Sequence, residues 1–229
     1  MAEAARRSAS LMGPTWIMAK NQNAARGRRG RMWTHPKGNF AATLGLRPAE
    51  APDKVALRSF VTALALADAL TALSGRPEAF ALKWPNDVLL NGGKVAGILL
   101  ESIGQAGQIN HVAIGIGVNL VAAPSISEVE ENAVRPVALT SLGAEVTQLE
   151  CLEALASAYA SWETRFTTYG FAPIREAWLS RATRLGEVIT ARTSADQYVG
   201  TFETVDMDGN LVLTTGTSRR AIPAAEIFF

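Results

Sequence analysis

The run FALKWPNDVLLNGGKVAGILLES, residues 80–102, constrains the fold more than any other stretch. Its apolar segments are broken by the Pro-containing turn Trp84-Pro85-Asn86. They break again at Asn91-Gly92-Gly93, where Asn91-Gly92 or Gly92-Gly93 supplies the positive φ angles of a two-residue hairpin. Strands joined by connections this short pair as antiparallel neighbours. Two more strands are expected in GNFAATLGL (38–46) and NHVAIGIGVNLV (110–121), so the centre of the chain reads as an antiparallel or mixed sheet.

Such a sheet needs helices over a face, and the sequence has two. One is expected from 53 to 73, with Asp53 as N-cap, Phe60, Leu64 and Ala67 facing the sheet, and Gly75 as its stop. The other runs from 149 to 169, where Leu149, Leu152, Ala156, Tyr159, Trp162 and Phe166 recur at steps of three or four and predict a buried stripe. Beyond Gly186 the period shortens to short strands: EVITART, YVGTFETVD, NLVLTT and RRAIPAAEIFF, separated by turns such as Asp208-Gly209-Asn210. The fold class is α+β, with a helix-covered domain over 1–184 and a small β-domain over 185–229.

Charge narrows the function. The 22 basic and 21 acidic side chains leave a net +1, so the long-range field that gathers a protein onto nucleic acid or an anionic membrane is missing. Any anion must be bound locally. MAEAARRSAS has no apolar signal core, and VTALALADALTAL is interrupted by Asp68, so no membrane segment is expected. Cys151 is the sole cysteine, which excludes an internal disulfide and points to a reducing compartment, the cytoplasm.

Local anion binding has an obvious candidate. NAARGRRGRMW (23–33) sets Arg26, Arg28, Arg29 and Arg31 around Gly27 and Gly30, which lets backbone bend closely round a ligand while guanidinium forks grip phosphate or carboxylate. A solvated basic turn is the plainer alternative. Neither GxxxxGK[ST] nor a strand-to-helix GxGxxG is present, so the standard phosphate cradles do not apply. Lys83 closes one strand and Lys94 opens another, and their hairpin can bring both ammonium groups to one end of the sheet; as ordinary surface lysines they would carry no function. Gly115 and Gly117 weaken an apolar strand, which suits close approach of a ligand or a bulge. Asn119 either reads a base edge or caps a turn, and Trp33 is either a stacking ring or a core aromatic. His35 and His111 form no cluster with other ligands and Cys151 has no activating base nearby in the sequence, so no metal centre and no hydrolase triad is expected.

These motifs together resemble the biotin protein ligases that lack a DNA-binding domain. Gln22 followed by AARGRRGR is similar to the family's biotin and adenylate loop, KWPND and KVAGILLE to its most specific signature, and GIGVN and LGEVITART to AEIFF follow in the family's order. The resemblance implies a biotin/lipoate ligase-like catalytic domain and an SH3-like β-barrel. It implies ATP-dependent activation of biotin as biotinyl-5′-AMP with Mg2+, then transfer to a lysine of a biotin carboxyl carrier domain of a carboxylase. It implies no nucleic-acid or membrane partner and allows a homodimer. By the same resemblance Arg28 and Lys83 are the catalytic cations. Biotin would be held by Gln22, Arg26, Gly27, Arg28, Lys94, Gly97, Gly115 and Gly117, and the nucleotide by Arg28, Arg31, Trp33, Lys83 and Asn119. Two departures stand out. Ala25 takes the place of the loop's first glycine, and Met1 falls in the first helix, so the family's opening strand and Ser-Thr-Asn segment are not in the sequence and weaker biotin binding is expected than with them. A lipoyl or octanoyl transferase and a binding-only remnant are the competing readings.

Overall fold

The computed structural model describes residues 1–22, 24–27, 30, 32–105, 108–129, 133–216 and 218–229. A six-stranded antiparallel sheet carries the larger part of the chain: β1 (Thr15–Met18), β2 (Phe40–Leu46), β3 (Phe80–Lys83), β4 (Asp87–Leu90), β5 (Gly93–Gln105) and β6 (Gln108–Val118), in the order β1-β2-β6-β5-β4-β3. The β4–β5 hairpin turns at Asn91 and Gly92, whose φ angles of 47° and 79° select the first of the two sequence-level alternatives.

The two faces of this sheet differ in kind. On one, Leu82, Val88, Ala96, Val118 and Phe40 stand in one cross-strand row, all essentially sealed from solvent. They pack beneath α3 (Arg58–Ser74), which is backed by α4 (Gln148–Tyr169) and α5 (Ala172–Leu179). Two boundaries differ from the sequence reading. The first helix is split at Leu57 into α2 (Pro52–Ala56) and α3, and its N-cap is Ala51; Pro52 pre-sets the helical φ, and Asp53 lies in the first turn. Gly75, left-handed at φ 67°, ends α3 as expected. Thr147 caps α4 through a reciprocal box with Glu150, and its buried positions are Cys151, Leu155, Tyr159 and Phe166, so the stripe is turned away from Leu149, which is 55% exposed. Gln148, in the first turn, donates to the Lys20 and Asn39 carbonyls. By length and composition the Pro52–Ser74 stretch could cross a membrane, but 72% of it is buried in this core.

The second unit is a five-stranded antiparallel sheet in the order β10-β9-β8-β7-β11, formed by β7 (Val188–Arg192), β8 (Gln197–Val205), β9 (Leu211–Thr215), β10 (Ser218–Ile222) and β11 (Glu226–Phe228). Its β8–β9 turn plugs into the first unit. Gly209, at φ 81°, leaves no space for a Cβ, which would fall 2.9 Å from Leu57 Cδ2 and 3.0 Å from Phe60 Cε2, and its carbonyl accepts a hydrogen bond from Trp84 Nε1 at 3.0 Å. Arg175 on α5 donates to the Val205 carbonyl and to Thr204 Oγ1.

Candidate functional site

The other face of the six-stranded sheet is made of small residues. Register places Lys83, Asp87, Gly97, Gly117 and Ala41 opposite one another in one row, and Leu99, Gly115, Thr43 and Ile17 in the next. Directly opposed residues of antiparallel strands share a face. Gly115 and Gly117, two apart on β6, therefore face the same way. The result is a shallow floor of glycine, alanine and threonine with charged groups at its β3–β4 end.

Side chains of the same chain lie on this floor. A Cβ added at Gly117 would fall 2.8 Å from Trp33 Nε1, and one at Gly97 3.2 Å from Trp33 Cζ3 and 3.6 Å from Lys94 Nζ. Gly97 and Gly117, expected to make room for a bicyclic ligand, lie under the indole of Trp33, itself expected to stack near adenine. Gly115 is covered by the Met1 side chain, whose Cγ would lie 2.9 Å from an added Cβ. The Met1 ammonium donates to Thr43 Oγ1 at 2.8 Å. Burial lowers the pKa of that amine; the Glu101 carboxylate opposes the shift and the Arg26 guanidinium reinforces it, which places Arg26 near this row. The physical cause is general: an apolar surface without side chains of its own is covered by the nearest flexible apolar groups.

The two lysines part company. Lys94 Nζ lies beside the floor, 2.7 Å from Asp87 Oδ1 and 5.5 Å from the centre of the Trp33 ring. Lys83 is only 6% exposed, and its ammonium lies 5.8 Å from the centre of the Phe229 ring. The sequence reading made Lys83 the central cation. Register keeps Lys83 in the same row as Gly97 and Gly117, and Lys94 joins it at this end of the floor through Asp87. Asp87, inside the quoted KWPND motif yet not singled out there, is the residue that reading missed; its signal was its place opposite Gly97.

The arginine loop closes on itself where it is described. Arg26 and Met32 bridge in antiparallel fashion and Trp33 N donates to the Ala25 carbonyl at 3.1 Å, so the loop's two ends are pinned side by side beneath Arg26 and Gly27. Gln22 is half-buried and Gly30 takes φ 74°. Arg28, Arg29 and Arg31 lie outside the described residues.

Asn119 makes the contacts of a turn anchor. It is 2% exposed; its amide donates to the Val137 carbonyl at 3.1 Å and its Oδ1 faces the Asn39 amide at 3.4 Å. Asn39, 1% exposed and unremarked in the sequence, accepts from Val121 N and Ala122 N and donates to the Ala122 carbonyl. Together the pair anchors the segment leaving β6. Burial pushes the Cys151 thiol up to about 12, which makes it inert. Among the described residues no group of His, Cys, Asp and Glu is arranged to hold a metal ion.

Comparison with known proteins follows the same division of the chain. Residues 1–119 match the model of the biotin/lipoate A/B protein ligase family, and residues 185–229 that of the biotin protein ligase C-terminal domain. A biotin–[acetyl-CoA-carboxylase] ligase of Paracoccus denitrificans is 52% identical over 229 residues, which is 100% of this chain and 95% of that protein. The bifunctional ligase/repressor of Bacillus subtilis is 29% identical over 93% of this chain and 65% of its own length. Among solved structures, the biotin protein ligase of Aquifex aeolicus in complex with biotin and ATP superposes with a TM-score of 0.82 at 24% identity, over 97% of this chain and 91% of that one. The Leishmania major ligase in complex with biotinyl-5-AMP gives 0.66 at 20% identity, over 97% and 94%. At these identities the two structures speak for the fold alone.

Proposed function

This chain belongs to the biotin/lipoate A/B protein ligase family, and from that premise we propose that it activates biotin with ATP and transfers the biotinyl group to a lysine of a biotin carboxyl carrier domain. The feature that carries the reading is the side-chain-poor floor ending at the paired Lys94 and Asp87. Kinship over the whole chain with the Paracoccus ligase supports it.

The chemistry accounts for these residues. In the first half-reaction a biotin carboxylate oxygen bonds to the α-phosphorus of magnesium-bound ATP and pyrophosphate leaves, so anion meets anion. A fixed cation at the meeting point offsets the repulsion, and one already in place needs no reorganisation during the reaction. Lys83 and Lys94 stand at that end of the floor, and Asp87 holds Lys94 in place. Biotin and adenine take the floor on which Met1 and Trp33 lie, with Trp33 turned to stack on the nucleotide. Arg28 and Arg31 add charge to the phosphates by the family resemblance. In the second half-reaction the neutral amine of the carrier lysine attacks the anhydride carbonyl, AMP leaves and the amine sheds a proton. No protein nucleophile is needed, which agrees with the inert Cys151.

The test is direct. Incubated with biotin, MgATP and a biotin carboxyl carrier domain, the protein raises the carrier's mass by one biotinyl group. A carrier left unchanged here, yet biotinylated by a ligase of known activity, refutes the proposal.

A further inference from the structure

Lys83 stands in the same cross-strand row as Asp87, Gly97 and Gly117, yet the second domain meets its ammonium with an aromatic ring. The Phe229 ring, just past β11, has Lys83 Nζ 5.8 Å from its centre and the Arg184 guanidinium carbon 4.7 Å from it. Arg184 sits at the seam between the two units with φ 63°, a left-handed conformation that a non-glycine residue holds only where its surroundings require it. Lys83's chain neighbour is tied to the same domain, since Trp84 donates to the Gly209 carbonyl at 3.0 Å.

We propose that Phe229 is a positioning residue for Lys83. The small C-terminal domain lays a ring face against the lysine ammonium and holds it toward the floor, where it meets the phosphates of the nucleotide. The inference rests on the ligase reading above and adds to it a role for the second domain in the first half-reaction. A ring is suited to this role, since its face attracts a cation. The same ring also meets Arg184, whose guanidinium is paired with Glu187 at 2.7 Å. Phe229 is 47% exposed, so replacing it removes little from the core.

Pyrophosphate release from biotin and MgATP, measured for a double-mutant cycle of the whole chain, tests this. Phe229→Leu keeps apolar bulk and removes the ring, and is expected to lower kcat about two- to fivefold, the range of a partly exposed cation–ring contact. Phe229→Tyr keeps the ring and is expected to retain the parent rate. In a Lys83→Ala background Phe229→Leu is expected to have no further effect, because its target is gone. An equal fall in both backgrounds, with thermal melting lowered alike, makes Phe229 a packing residue and overturns the proposal. A Phe229→Tyr rate as low as that of Phe229→Leu overturns it too. If Lys83→Ala alone leaves pyrophosphate release unchanged while Lys94→Ala abolishes it, the positioning role falls and the ligase reading stands. If the parent protein releases no biotin-dependent pyrophosphate, it is the ligase reading that falls.

Discussion

Gly117→Ala adds one methyl group at the centre of the floor. The backbone of Gly117 lies outside the left-handed region, so alanine meets no conformational penalty and the effect is purely one of space. The new Cβ would fall 2.8 Å from Trp33 Nε1, 2.9 Å from Cε2 and 3.2 Å from Cζ2. Ordinary carbon contacts are at about 3.5–4.0 Å, so the indole has to rise by roughly 0.7–1 Å. Overpacking of that kind costs about 1–3 kcal/mol. Trp33 is only half-buried and sits on a loop, so it lifts away and the fold is spared. A ligand on the floor cannot escape in the same way. Biotin or nucleotide pressed against the same methyl keeps the cost as lost affinity, about 5- to 150-fold at 1.4 kcal/mol per tenfold. Calorimetric titration with biotin and with ATP, alongside thermal melting and indole emission, reads all three quantities. The expected result is weaker binding, altered emission and a melting temperature within a degree or two of the parent. Unchanged affinity for both ligands would show that neither lies on this row and would refute the placement of the site.

Three further outcomes follow from the same geometry. Lys94→Ala removes the cation at the end of the floor and is expected to slow pyrophosphate release by about 10²- to 10³-fold, with biotin affinity falling much less; a loss below tenfold returns the central role to Lys83. Asn39→Ala leaves the part-buried Val121 and Ala122 amides without their acceptor, at about 1 kcal/mol, and a denaturant midpoint equal to the parent's would mean that water replaces the side chain. Gly209→Ala forces φ 81° on alanine and drives a Cβ against Leu57 and Phe60, so urea unfolding should show the stability of the docked pair reduced by about 1–3 kcal/mol; an unaffected transition would show that the turn is not wedged as described.

Much of this architecture is written in short-range signals. Asn91-Gly92 sets a hairpin because both residues tolerate positive φ, Gly75 stops a helix for the same reason, and the two-residue spacing of Gly115 and Gly117 puts both on one face. Each of these outcomes depends on dihedral preferences within a few residues. The family could be recognised from loops of this kind, since KWPND and the arginine cluster are contiguous in the chain. The β-domain beyond 185 was likewise legible, because a period of two with frequent turns is a local pattern.

The site itself was decided further afield. That Lys83 and Lys94 stand at one end of the same floor depends on strand order and register, which no local pattern records. The rotation of α4 away from Leu149 and toward Cys151 and Leu155 was set by packing, since two helical stripes one position apart look nearly equal in sequence. That Asn119 packs against Asn39, eighty residues earlier in the chain, is likewise a product of the tertiary fold. The glycines of the floor announced close approach, and only packing determined that the approaching groups are Trp33 and Met1. Local sequence therefore sets backbone conformation, whose energy is settled within a turn or a strand pair. The identity of a side chain's neighbour is settled by contacts across the fold, where residues distant in sequence share a face and burial selects among arrangements that local preference leaves equal.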